Sequence, residues 1–352
     1  MRLITYKAKC GDAFHLQYVG NSGKCRNIFL DMGYSKTYTS VLKINILSLL
    51  DSAEKIDALF LSHIHDDHIG GVTQFIKDIK TNPNLNDIVG HWFYNPPRKY
   101  EVSVLDDKKN GVPCGIVSGD TVYDYILACH SSDIDDYTSG KSYDIDGMKV
   151  TILSPNKDKL QLLRDKYSNN RPLCKSEVDE VTVEASCVTD DYSTRLEDFN
   201  TESFQEDSSI ENSSSLAAIF DINGKRILWL ADSVPSVVMD TLVKMGFSET
   251  NKLHCDVVLT SHHGSSANNS TALFRMISAN KYVFSVDGIN RYNLPNKETV
   301  ARILSASTIT PVTLYFNYND GRIQRIFNCE RQEELKSIIT IKYLNQSEAI
   351  EL

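Results

Sequence analysis

The chain has 352 residues, 41% hydrophobic, 24% charged and 9% aromatic, an ordinary globular composition with enough material for one large core or two smaller ones. No apolar run approaches the ~18 residues that a membrane-spanning helix needs, so no membrane association is expected. The net charge of -9 is concentrated: Lys175 to Glu211 holds twelve acidic residues against two basic ones, so 35 of the 37 basic and 34 of the 46 acidic residues lie elsewhere. An overall acidic balance therefore does not exclude a nucleic-acid substrate, although no basic footprint argues for one.

The eight cysteines (10, 25, 114, 129, 174, 187, 255 and 329) are scattered and form no CxxC pair, the pattern of reduced thiols in a cytoplasmic protein rather than of a disulfide framework or a thiolate metal site. The start, MRLITYKAKCGDAF, lacks the apolar stretch and cleavage pattern of a signal peptide.

Leu3–Tyr6, Phe14–Val19 and Asn27–Leu30 read as short strands between Gly-containing turns. Tyr38–Leu50 has apolar residues at helical spacing. Ile56–Leu61 is a buried-strand run ending in Ser62-His63, Gly70–Lys80 a helix, and Asp87–Asn95 a strand stopped by Pro96-Pro97. Residues 98 to 145 form an irregular insertion with a helix over Thr121–Cys129, and Met148–Leu153 resumes the strand signal. Asp165–Asn212, rich in Ser, Asp, Glu and Asn, is expected to be a mobile loop or appended surface element.

Leu216–Ile222 and Arg226–Leu230 flank Asn223-Gly224, a strong hairpin signal. A helix over Val234–Met245 ends at Gly246, and strands follow at Asp256–Thr260 and Lys281–Val286. A short helix at Lys297–Leu304 precedes a second expected hairpin, Thr313–Tyr318 with Arg322–Phe327, turning at Asp320-Gly321. Strands alternating with helices at both ends of the chain give a layered α/β architecture.

Three of the nine histidines fall within six residues, His63, His65 and His68, beside Asp66 and Asp67. The cluster follows a buried strand, where α/β proteins place their chemistry. From an extended turn His63 and His65 can aim both imidazoles into one space, and Asp67 and His68 can face it from the start of the next helix. Imidazole with carboxylate suits zinc, iron or manganese. Other strand ends carry further metal-competent residues: Asp31 after Phe29-Leu30, Asp232 after Leu228 to Ala231, and His262-His263 after Val257 to Leu259. Alone, Asp31 would be a turn residue and Asp232 a helix cap; their common position shifts both toward a metal site.

The segment His63 to His68, HIHDDH, matches the HxHxDH signature of the metallo-β-lactamase superfamily. CGDAF at 10–14, FLDMG at 29–33, HIGG at 68–71, NSSSL at 212–216, LAD at 230–232, SHHGS at 261–265 and NRYNLP at 290–295 then occur in an order similar to the hydrolase domain of ComEC-type DNA-uptake proteins. The resemblance implies an αββα sandwich, two mixed β-sheets between helices. It would form one domain over residues 1–352, with insertions at about 98–145 and 165–211.

The resemblance further implies one or two zinc ions, with manganese as an alternative. His63 and His65 would hold the first metal, Asp67 and His68 the second, and Asp232 would bridge them. One of His262 and His263 would complete the second site, while the other hydrogen-bonds substrate or shuttles a proton. Asp31 would orient a ligand, and Asp67, His262 and His263 are the catalytic candidates.

Two departures matter. The superfamily's third-motif histidine, expected just before Leu216–Ile222, is replaced by Glu211, Asn212 and Ser213, as ComEC-like members often have Asn and Ser there. The first metal is then short of a ligand and expected to bind more weakly, with His91, His130 and Glu211 the residues that could substitute. The family's late Gly-His-Pro is Asn293-Leu294-Pro295, and the uptake proteins' transmembrane channel is missing from this sequence, so DNA uptake is not implied.

The expected chemistry is metal-dependent hydrolysis by a metal-activated hydroxide, most of all of phosphodiesters in nucleic acid or a nucleotide. Ser265, Ser266, Lys281, Arg291 and Lys297 are candidates to meet phosphates. Alternatives are a hydrolase of a small lactone, thioester or phosphorylcholine-type ester, or a non-hydrolytic regulatory subunit retaining the fold. The acidic segment 175–211 would be a lid or gate over the site, a docking surface for a basic protein partner, or a plain solvated loop.

Overall fold

Side chains of successive residues in a strand point to opposite faces, and in the last third of the chain both faces are apolar. A computed structural model describes residues 1–99, 114–129, 135–168, 190–290 and 292–352. Its first sheet contains β1 (Arg2–Thr5), β2 (Phe14–Val19), β3 (Cys25–Leu30), β4 (Ala58–Leu61) and β5 (Trp92–Tyr94). The second begins with β6 (Ser142–Ile145), β7 (Met148–Ser154), β8 (Ala217–Ile222) and β9 (Lys225–Trp229). After β10 (Leu253–His254) come β11 (Val257–Leu259), β12 (Ile277–Ser278), β13 (Lys281–Phe284), β14 (Val312–Phe316), β15 (Ile339–Tyr343) and β16 (Ala349–Glu351).

The first sheet runs β16-β1-β2-β3-β4-β5, and the second β15-β14-β13-β11-β9-β8-β7-β6; β10 and β12 form a small parallel pair. Both large sheets are mixed. β3, β4 and β5 are parallel beside antiparallel neighbours, and the run from β15 to β9 is parallel while β9 to β6 is antiparallel.

Ala218, Phe220, Ile227, Trp229, Val257 and Leu259 pack toward the first sheet. Their neighbours Ala217, Ile219, Leu228, Leu230 and Val258 pack the other way, with Val238 and Leu242 of the helix Pro235–Lys244 and Val300 and Ile303 of the helix Lys297–Ala306. Phe60 of β4 joins the sheets, edge-on to Phe220 and Trp229 with ring centroids 5.1 and 6.3 Å away. Beyond the first sheet the helices Lys43–Asp51 and Asp66–Thr81 bury Ile46, Val72, Phe75 and Ile76. The layers are thus helix, sheet, sheet, helix, as expected. No helix among the described residues is long and apolar enough to cross a membrane.

The Asn223-Gly224 turn joins β8 to β9 with both residues at positive φ, 53° and 77°, as a two-residue hairpin requires. The second expected hairpin is not formed. β14 pairs in parallel with β13 and β15, and Ile323–Phe327 is a 3-10 helix. Ile323, Ile326 and Phe327 are buried, a helical spacing hidden behind the Asp-Gly turn signal.

Of the two alternatives for 165–212, a mobile loop or an appended surface element, the described residues have the form of the second. Residues 165–168 end the helix Lys157–Ser168, and 190–211 lie docked on the body. Asp191 accepts the backbone N–H groups of Lys297 and Glu298, both at 2.9 Å, Glu206 accepts the backbone N–H and the hydroxyl of Ser236, and Tyr192 is buried. Residues 169–189, with the rest of the acidic run, lie outside the described residues.

Candidate metal centre

The ends of β3, β4, β9 and β11 meet at one edge of the sandwich, and each hands its chain to a sharp turn. Asp31 (φ 53°), Ala231 (φ 44°), His262 (φ 46°) and His263 (φ 56°) all adopt left-handed backbone, a strained state that non-glycine residues hold only when the surroundings enforce it. Gly264 follows at φ 87°, and a Cβ there would stand 2.6 Å from the Phe284 ring. Gly11 lets another loop in, since a Cβ on it would lie 2.4 Å from the Asp67 carbonyl oxygen. Asp12 N–H then donates to that same oxygen at 3.2 Å.

Asp66, Asp67 and His68 open the helix Asp66–Thr81 with His65 as its cap, which puts both acids where the helix dipole favours them. Asp232 stands at the centre. Its Oδ1 is 3.3 Å from His68 Nε2 and 3.9 Å from His263 Nε2, while its Oδ2 is 3.7 Å from both His63 Nε2 and His262 Nε2. Asp67 Oδ2 lies 3.3 Å from His263 Nε2 and 3.8 Å from His68 Nε2. His65 Nδ1 is 2.9 Å from His63 Nε2. All seven residues expected to hold metal are therefore brought together.

The far nitrogen of each of four histidines is pinned. His68 Nδ1 donates to Asp31 Oδ2 at 2.7 Å, His263 Nδ1 to the Ser285 carbonyl at 3.1 Å, and His262 Nδ1 to Asn268 Oδ1 at 2.8 Å. His63 Nδ1 lies between the hydroxyls of Ser62 and Ser215, at 3.0 and 3.4 Å. Asp31 also accepts Ser62 N–H and Oγ–H at 2.8 and 2.6 Å.

The charges follow from this packing. Burial, helped by His68 and His65, pushes the His63 imidazole well below its usual range. Burial lowers His65 too. Burial works against charge on His68 as well, but Asp232, Asp67 and Asp31 outweigh it and hold its pKa well above the ordinary value. His263 is raised in the same way despite burial, with Cys10, Asp232, Asp12 and Asp67 as the opposing groups. Asp232 and Asp67 are lowered: burial alone would raise both, and the surrounding imidazoles win.

Sequence reading missed Asp12, whose Oδ1 is 3.3 Å from His263 Nδ1, and Asn268, Asp207 and Ser62. Other expected participants are elsewhere or already engaged. His91 Nε2 is 2.8 Å from the Tyr137 hydroxyl, away from the cluster, and Glu211 is taken by Lys166 at 2.8 Å and by the Tyr167 hydroxyl. Lys297 is fully buried against Glu330 at 2.5 Å, so it is not open to a phosphate. Lys281 starts β13, at the end of that strand remote from the site. Ser265 is buried, and Ser266 N–H is spent on Asn296. His130 and Arg291 lie outside the described residues.

Residues 26–133 match the family described as Metallo-beta-lactamase superfamily. Among solved structures, it is similar to a diphosphatase from the PhnP family, with 11% identity, a TM-score of 0.42 and coverage of 100% of this chain and 98% of that one. It is also similar to the metallo-beta-lactamase fold protein YhfI from Bacillus subtilis (10% identity, TM-score 0.40, 100% of both chains). A third likeness is to Zn(2+)-bound PqqB from Methylobacterium extorquens (8% identity, TM-score 0.38, 100% of both chains). Likenesses this distant carry no weight for chemistry. No curated protein matches the chain.

Within this cluster Asp31 is the residue whose replacement separates orientation from ligation. Asp31→Ala is expected to weaken binding of the metal served by His68 by about 10–100-fold. Leaving the Ser62 N–H unpaired should also cost about 1–3 kcal/mol of stability. Chelator competition and urea unfolding measure the two effects, and unchanged metal affinity would show that the 2.7 Å contact to His68 does not set its orientation.

Proposed function

We propose that this chain is a metal-dependent hydrolase and that its substrates are phosphodiesters of nucleic acid or a nucleotide. One observation carries the metal-dependent part. Both carboxylate oxygens of Asp232 and the Nε2 atoms of His68 and His263 are buried without a hydrogen-bond partner, although each could make one. Orphaned buried polar atoms are costly, and these four face each other within a cage of imidazoles and carboxylates. Two of its triads, His63, His68 and Asp232 and Asp67, His68 and His263, have ligand atoms within 4.8 Å of one another. Such a donor set suits a divalent cation and, with nitrogen and oxygen but no thiolate, suits zinc, with manganese as the alternative.

The residues fit the group. His63, His65, Asp67, His68, Asp232, His262 and His263 would hold one or two ions, whose chemistry when bound is to polarise the substrate oxygen and make water a better nucleophile. Asp67 stays ionised, and its side chain, which is 22% exposed, is available to accept a proton or hydrogen bond from an attacking water. Asp31 and Ser285 O hold the protons on His68 Nδ1 and His263 Nδ1, which leaves both Nε2 atoms for the cage. Support for phosphodiesters comes from the ComEC-like order of motifs from Cys10 to Pro295.

The test is metal content by mass spectrometry, then turnover of single-stranded and duplex DNA, RNA, cyclic dinucleotides and nitrocefin with zinc or manganese. Metal-dependent cleavage of a phosphodiester is expected. Cleavage of nitrocefin or a simple ester alone would overturn the substrate class, and a protein that takes up no metal would overturn the whole reading.

A further inference from the structure

The central carboxylate divides the cage in two. Asp232 Oδ1 faces His68 and His263, which share Asp67, whereas Oδ2 faces His63 and His262 at equal distances of 3.7 Å. His262 therefore stands on the side where the sequence lacks a histidine before β8. Its ring is not free to turn. Asn268 is fully buried, and its Nδ2 donates at 3.1 Å both to Asp207 Oδ2 and to the Asp232 carbonyl oxygen. Neither partner can donate, so the Asn268 amide has a fixed orientation with Oδ1 toward His262. The 2.8 Å bond to that oxygen requires a proton on His262 Nδ1, and the lone pair is left on Nε2, facing Asp232.

Asp207 anchors the relay. Its Oδ2 also accepts Asn212 Nδ2–H at 2.6 Å, and its Oδ1 accepts the Ser209 N–H at 2.8 Å. The carboxylate thus ties Asn212, which occupies the place of the missing histidine, to the residue behind His262. Acceptors behind a ligating imidazole fix its tautomer and raise its basicity. We infer that His262 completes the metal site of His63 and His65 in place of the absent histidine, and that Asn268 and Asp207 are the residues that position it. Asp207, near the end of the acidic segment, is on this account part of the support of the metal centre. The inference rests on the metal-binding reading above and goes beyond it by assigning one ligand and two positioning residues.

Metal per chain after dialysis, with affinities from chelator competition and the absorption spectrum of the cobalt-loaded protein, tests it. Wild type is expected to hold two ions. His262→Gly suits the backbone, since φ is 46° there, and should retain the ion held by Asp67, His68, His263 and Asp232 while the other binds on the order of 100-fold more weakly. Added imidazole should restore it, a rescue that a structural role for His262 would not show. Asn268→Ala and Asp207→Ala should each weaken the same ion by about 10–100-fold and leave the other unchanged. Glu202→Ala, which removes an acidic group paired with Arg275 outside the relay, should change neither.

Two tight ions in His262→Gly, with only KM or kcat altered, would make His262 a substrate contact and overturn the inference while the hydrolase reading stands. Unchanged affinities in Asn268→Ala and Asp207→Ala would overturn the positioning role. Wild type that binds no metal would remove the functional reading itself, and the inference with it.

Discussion

His63→Ala and Asp67→Ala are each expected to lose one bound ion and Asp232→Ala both, and all three to reduce turnover by roughly 1,000-fold or more, while the fold persists. Charge stabilisation by a bound cation contributes several kcal/mol to the transition state, and about 4 kcal/mol corresponds to that factor. The fold should survive because these side chains sit at one edge of the sandwich, beyond the apolar residues that join its sheets. His63 in particular is buried as a neutral ring, so its removal leaves no unpaired charge. Thermal unfolding gives a readout that does not depend on guessing the substrate. Metal at 100 times its dissociation constant stabilises a native protein by about 2.7 kcal/mol. Wild type should therefore melt higher with zinc than without, His63→Ala and Asp67→Ala should gain less, and Asp232→Ala should gain nothing. Variants with wild-type metal content and turnover would remove these residues from the site.

How much of this was legible in the sequence depended on whether the signal was local. HIHDDH and the acids at 31 and 232 announce themselves because each ends an apolar run, where a polar residue needs a reason. Asp12 was within view, in CGDAF, but its role exists only because Gly11 lets that loop reach Asp67, and spacing does not encode that contact. Asn268 and Asp207 act on each other across the fold, from positions 61 residues apart. Lys297 misled for a different reason: a lysine at a helix start is ordinarily solvated, and only the packing of Tyr192, Cys329 and Glu330 around it makes it internal. The false hairpin had a strong turn signal between two apolar runs, but the second run's spacing of three and four residues was helical. Composition likewise argued for a loose segment over 190–211. Its charges instead find partners on the body, which composition cannot show.

Replacing residues 177–207 by a short Gly/Ser linker is expected to damage the protein rather than to open its site. A gate that merely repels a polyanion would, when removed, raise activity on nucleic acid, most at low salt. The docked half of the segment gives the opposite expectation. Asp191 caps the helix Lys297–Ala306, and loss of such a cap costs about 1 kcal/mol. Arg302, buried, would lose the Ser203 carbonyl at 2.8 Å, and unpaired buried donors cost about 1–3 kcal/mol each. The buried ring of Tyr192, the Glu206 contact to Ser236 and the Glu202 pair with Arg275 would go as well. Against a total stability of about 5–15 kcal/mol these losses are large. Deletion of Asp207 would also release Asn268 and, through it, His262. The trimmed protein should melt at a markedly lower temperature and bind one metal less tightly. A trimmed protein with the wild-type melting temperature, full metal content and higher activity at low salt would restore the gate.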